Sequence, residues 1–294
     1  IIALYSEAEI DITKRISTRI GARFESLYLS QEVKISPRFA LACKTSEFSQ
    51  VSLGYGQFIQ RAQDDYLIFN TSLKTEKAEH FIANFQFEKS SRIFRIEAYQ
   101  KYYSSLVKYD SLYATDPVAY NNKGNGYARG IDIFYRDNKT IRNGDFWISY
   151  SLMDSKRDYR DYNQKLTPGF ISKHTLSITY KHYINTLETY FSTGYRFSSG
   201  RPYIDPNISF DIQQRTKSFH DLSISVFHFT KLFGQFTMIY AQVTNVLGAN
   251  HVYGYRFSGM ADEAGVYRSE PVLPVTKRFL LLGIHISLTG QTDI

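Results

Sequence analysis

Polar and apolar residues alternate one by one along most of this chain, and that period of two constrains the fold more than any motif does. In the closing run 279–288, Leu280, Leu282, Ile284, Ile286 and Leu288 share one parity, while Phe279, Leu281, Gly283, His285 and Ser287 share the other. Such alternation predicts a β-strand whose two faces meet different surroundings. The pattern recurs from the first residues onward. Glu7, Glu9 and Asp11 alternate with Ala8, Ile10 and Ile12; Arg19, Arg23 and Glu25 with Ile20, Ala22 and Phe24; Arg38 and Lys44 flank Phe39, Leu41 and Cys43. Arg95, Glu97 and Lys101 oppose Phe94, Ile96 and Ala98, and Asp132 opposes Ile131 and Ile133. Similar segments lie at 50–55, 81–88, 146–152, 175–181 and 221–226. Two more, 188–197 and 235–245, are aromatic or mixed on both parities, so no faces are assigned to them. The count is about 13 strands, most of about ten residues or more, which is longer than soluble sheets use.

Composition narrows the class further. Of 294 residues, 24 are Tyr and 22 Phe, against 7 Pro, so strand formers dominate. The longest apolar run, near 279–284, is far short of the roughly 20 residues a transmembrane helix needs. A mean hydropathy of -0.33 does not exclude a transmembrane barrel, which hides its apolar residues in alternation. The net charge of +7 is scattered among 28 acidic residues, which argues against nucleic acid as a partner. The lone Cys43 builds neither a disulfide framework nor a cysteine zinc site within this chain. No HExxH pairing or nucleophile motif appears, so no catalytic residue, metal site or cofactor is expected. The opening IIALYSEAEID already alternates and lacks a leader pattern, which suggests a chain that starts in mid-structure.

Connections alternate as regularly as the residues do. Short links such as KRIS, TSEFS, EKSS, DNKTIRNG, YINTLE and TKLFGQ separate long polar segments at 63–77, 110–126, 156–173, 199–218 and 249–277. Only the SQE link near Gln31 is short where a long one is due. Outer-membrane barrels show this asymmetry, with tight periplasmic turns and long extracellular loops. On that reading the last strand runs down to a periplasmic C-terminus. Single-chain bacterial barrels have even strand numbers, so an odd count is the expectation of an incomplete barrel, residues 1–294 being its C-terminal part.

Longer stretches carry a family likeness. NGYARGIDIFYRD, DFWISYSLMDSKRDY, SSGRPY, AQVTNVLGANHVYGYRFS and RFLLLGIHISL resemble C-terminal barrel segments of TonB-dependent outer-membrane receptors, and RIGARFES, ISPRFALACK, VSLGYGQFIQ and FRIEAYQKYY resemble earlier strands of the same family. The resemblance implies an all-β transmembrane antiparallel barrel of about 22 strands, of which about nine and an N-terminal plug lie outside these residues. It also implies energised import of a scarce nutrient in the bacterial outer membrane. The partners it implies are membrane lipid, the plug, the remaining strands and a TonB-type energy-coupling protein, with a surface lipoprotein or another outer-membrane complex component as a further possible one. Two alternatives stay open, a passive porin-like or structural barrel subunit and an outer-membrane enzyme with a site at the rim.

Two groups of residues are candidates for the work. Glu7, Glu9, Asp11, Arg19, Arg23, Glu25, Arg38, Lys44, Arg95, Glu97, Lys101 and Asp132 interleave opposite signs on the polar face, as a wall holding a polar plug by ion pairs requires. Tyr109, Tyr113, Tyr120, Asp154, Arg157, Asp158, Tyr159, Arg160, Arg201, Tyr203 and His251 lie in or beside the long loops. Tyr and Arg there offer broad contact area with polar tips, suited to capture of a sugar, a peptide or a metal chelate.

Overall fold

The computed structural model describes residues 1–110, 116–209 and 212–288. Seventeen strands occur among them: β1 (Ile2–Asp11), β2 (Ile16–Leu27), β3 (Glu32–Lys44), β4 (Ser49–Gln60), β5 (Glu76–Lys89), β6 (Arg92–Lys108), β7 (Asn121–Asp137), β8 (Gly144–Asp158), β9 (His174–Ile184), β10 (Thr189–Ser198), β11 (Pro202–Ile204), β12 (Gln213–Arg215), β13 (Phe219–Leu232), β14 (Gln235–Thr244), β15 (Gly254–Phe257), β16 (Ser269–Val272) and β17 (Phe279–Ile286). Thirteen of them form one antiparallel sheet in chain order, β1 to β10 and then β13, β14 and β17. These are the thirteen strand segments expected from the sequence, eleven of them alternating and two with faces left open.

Register turns the alternation of single strands into two continuous faces, because residues paired across strands point the same way. One row of partners reads Glu7, Gly21, Arg38, Gly56, His80, Lys101, and the next Ala8, Ile20, Phe39, Tyr55, Phe81. The first row belongs to a polar face and the second to an aliphatic one. At the other end of the sheet Phe191, Val226, Ala241 and Leu282 continue the aliphatic face. That face has no cover among the described residues: Leu53 is 52% exposed, Leu282 69% and Ile284 63%. A sheet in water would bury such residues against a second layer.

The two strands left open by sequence take sides through their neighbours. In β10, Phe191, Thr193, Tyr195 and Phe197 pair with Val226, Ile224, Leu222 and His220 on the aliphatic side, which leaves Tyr190, Ser192 and Arg196 on the polar side. In β14, Ile239, Ala241 and Val243 pair with Ile284, Leu282 and Leu280. Tyr240 then lies opposite Gly283, and a Cβ there would come within 2.2 Å of its ring. The large ring on one strand therefore requires the missing side chain on the next.

The long connections leave the end of the sheet opposite the tight turns. The segment after β2 is indeed a short turn, 28–31. Two of the long segments are not plain loops, because 199–218 contains the ribbon β11–β12 and 249–277 the ribbon β15–β16. Tyr203 packs against Tyr255 with ring centroids 4.7 Å apart and planes tilted by 41°, joining the ribbons by ring contact that alternation alone does not encode. Asn245, only 2% exposed, pins the last corner: its amide donates to the carbonyls of Ala249 and Lys277 and accepts from the Ala249 N–H.

Two expectations follow for folding into lipid bilayers. Ile284→Arg is expected to lower the folding free energy by about 2 to 4 kcal/mol, as for a cation at a bilayer midplane, while His285→Arg on the polar face costs much less. Urea titration of refolded protein compares the two, and equal costs would contradict the facing. Gly283→Val is expected to cost about 1 to 3 kcal/mol by overpacking, with part of the loss recovered in Gly283→Val/Tyr240→Ala.

Candidate functional site

The polar face carries all twelve wall candidates, and register places them side by side. Many of them engage one another. Arg19 bridges Glu7 at 3.3 Å and Glu9 at 2.8 Å, and Arg23 holds Glu25 at 3.1 Å. Arg38 lies over Phe58, Arg95 over Phe134 and Lys101 over Tyr99, while Asp132 accepts from the Ser151 hydroxyl. The face is thus a partly self-neutralised polar wall, with ion pairs open enough to exchange partners.

At the long-loop end, three connections fold into one cap. The segment 61–75 and the described residues 109–110 and 116–120, with the end of β6, bury Ala62, Leu67, Leu73, Val107 and Tyr120 together. Rings pack around them, Tyr109 on Tyr120 at 5.2 Å and Phe69 on Tyr120 at 5.5 Å. The turn after β8 joins through backbone bonds, the Arg160 N–H donating to Val107 and the Tyr109 N–H to Arg160. Burial raises the phenols of Tyr66 and Tyr109, and it pushes Tyr162 up to about 12, so these rings stay neutral donors.

Beside this cap, on the polar face, lies a cavity of about 540 Å³. Ser151, Ser177 and Arg196 rise into it from β8, β9 and β10, and Phe170, Arg201, Lys217 and Tyr253 close it from the long connections. Arg196 has one carboxylate near, Asp221 at 3.8 Å. Among the described residues, three cations stand against one acid here, in a concave space walled by aromatic rings, a chemistry that favours negative charge beside apolar groups.

The loop candidates divide between these places. Tyr109, Tyr120, Tyr159 and Arg160 build the cap, with Arg160 over the Tyr159 ring at 5.1 Å. Arg157 points from β8 under the cap, and Asp158 pairs with Lys108. Arg201 lines the large cavity, and Tyr203 packs on Tyr255 in the ribbon pair. Asp154 lies elsewhere, on the aliphatic parity of β8, paired with Arg129 at 2.9 Å. His251 is buried; its Nε2–H donates to the His220 carbonyl and its ring packs 4.2 Å from Phe219. Tyr113 lies outside the described residues. Arg196, Lys217, Phe170 and Tyr253 escape a reading of the sequence. Arg196 stands in β10, whose aromatic residues on both parities hide the facing, and the other three belong to connections without periodicity.

Comparison with known proteins places this geometry. The family model described as TonB dependent receptor-like, beta-barrel matches residues 1–246. No protein of curated function matches the sequence. Among solved structures, the outer membrane transporter YddB from Escherichia coli superposes with a TM-score of 0.73 at 16% identity, covering 96% of this chain and 44% of that one. The ferric-catecholate import receptor Fiu from E. coli K12 gives 0.70 at 12%, with 96% and 44% covered. The ferric yersiniabactin uptake receptor FyuA from Yersinia pestis gives 0.68 at 12%, with 91% and 43%. These identities establish the fold alone, and the chain spans less than half the length of each. With the family match over most of its residues, the chain belongs to the TonB-dependent receptor-like β-barrel family of the bacterial outer membrane.

Proposed function

We propose that the chain is the C-terminal barrel portion of an outer-membrane receptor that imports an anionic nutrient, and that a metal chelate bearing carboxylate or phenolate oxygens is its ligand class. The observation that carries this reading is the aromatic cavity with Arg196, Arg201 and Lys217 at the long-loop end of the polar face. Its volume falls in the range of small-molecule sites, roughly 300 to 1,000 Å³. Long loops face the cell exterior and the end of β17 faces the periplasm. Further strands close the barrel, a plug rests on the polar wall, and a TonB-type partner pulls on that plug.

Such a wall suits a plug that must hold and then let go. Ion pairs such as Arg19 with Glu7 and Glu9 lose little when a partner residue replaces one member, so contacts can exchange at low cost. Solved relatives named for import of ferric catecholate and ferric yersiniabactin agree with a chelate in the cavity.

Two measurements test this. In cells carrying the full-length receptor, uptake of a radiolabelled ferric catecholate chelate should stop when the inner-membrane proton gradient is collapsed; continued uptake would favour a passive barrel. Arg201→Glu combined with Lys217→Glu should weaken chelate binding to purified receptor by about tenfold or more, about 1.4 kcal/mol, and the wild-type affinity should fall with added salt. Unchanged affinity would remove the cavity from ligand capture.

A further inference from the structure

Arg157 presents an unusual combination of contacts. Its guanidinium lies 4.3 Å over the Tyr103 ring and 5.6 Å from both Tyr159 and Phe170. Its Nε is buried and has no hydrogen-bond partner among the described residues. Ring faces hold the cation but accept no N–H bond in its plane, and leaving a charged donor unsatisfied costs about 1 to 3 kcal/mol or more. The backbone does not relieve it, because the Arg157 N–H and carbonyl both pair with Leu166.

A second, smaller cavity of about 140 Å³ opens at this point, between the cap and the polar face. Arg157 and Arg160 line it with Gln60, Gln63, Tyr66 and Tyr159. Its one carboxylate, Glu76, accepts from the Val107 N–H at 2.9 Å. Of the acids on the cap connections, Asp158 is taken by Lys108 and Asp64 by Arg61, while Asp110 and Asp161 are exposed. The space therefore holds two guanidinium groups against one acid, with amide and phenol donors around it. At about 30 Å³ per water it has room for roughly four or five waters, or one compact oxyanion.

We propose that this cavity is an oxyanion site, taking a phosphate, sulfate or carboxylate group on Arg157 and Arg160. The bound group spans three separate pieces of chain: Gln63 and Tyr66 from the first long connection, Val107 at the end of β6, and Tyr159 and Arg160 after β8. Filling it fastens the cap, and emptying it loosens the cap, so anion occupancy sets how firmly these loops are held. Phe170 lines both this cavity and the larger one, which makes it the wall between them. The site does not depend on import, since it is measured without membrane energy.

The test is calorimetric titration of inorganic phosphate, sulfate and acetate into purified full-length receptor. Saturable binding is expected, weakened at least tenfold by Arg157→Gln and unaffected by Arg129→Gln on the opposite face. Bound phosphate should also slow proteolysis within 159–173. Arg157→Lys keeps the charge but lacks the Nε donor, and it should bind more weakly than the parent; it decides the matter if Arg157→Gln fails to fold. Tighter binding of phenyl phosphate than of inorganic phosphate marks the site as one for the head group of a larger ligand, and the reverse marks a free ion. Absence of saturable binding for all three anions, or equal binding by the parent and both Arg157 variants, overturns the proposal.

Discussion

Backbone N–H and C=O groups find no partners in hydrocarbon, and every other feature of this molecule follows from satisfying them within a sheet. Thirteen strands in sequential antiparallel order do so with no crossover, each pairing with the strands beside it in the chain. Sequential pairing needs only turns and loops at two ends, hence the division into a tight end and a long one. Once the ladders are fixed, the pleat leaves one free choice, which side each residue faces. The alternation makes that choice the same way in strand after strand.

Facing then decides where chemistry can occur. On the aliphatic side Leu53, Leu282 and Ile284 stay exposed and chemically inert. On the polar side charges pair locally along most of the wall, as Arg19 does with Glu7 and Glu9. Among the described residues, cations outnumber acids in a concave space toward the long-loop end, where Arg196, Arg201 and Lys217 gather with Asp221 beside Arg196, and where Arg157 and Arg160 line a cavity with Glu76. In the proposed function, capture therefore belongs to the loop end and the wall serves as a bearing surface for the plug.

The sheet was nearly all legible in the sequence because period two is a local signal that a buried or lipid-facing parity enforces. It failed where both parities are aromatic, since Tyr190 and Phe191 look alike in a string and differ only by whether Phe227 or Val226 stands opposite. The ribbons β11–β12 and β15–β16 were unreadable for another reason. They are three or four residues long and rest on cross-loop ring contacts such as Tyr203 against Tyr255. His251 illustrates the limit for site residues. A loop histidine suggests a ligand contact, and a string does not show that its Nε2–H goes to the carbonyl of His220, 31 residues away in the chain.

The central claim, that one face of this sheet meets lipid and the other a polar interior, is tested most directly by a labelling scan along β9. Single cysteines from Leu176 to Tyr183, placed in a Cys43→Ser background and tagged with a fluorophore, are read in bilayers with a lipid-borne quencher and with a water-soluble one. The account predicts strict alternation, with Leu176, Ile178, Tyr180 and His182 quenched from the lipid and Ser177, Thr179, Lys181 and Tyr183 shielded from it. Quenching that is uniform along the strand, or that alternates with the opposite phase, would contradict it.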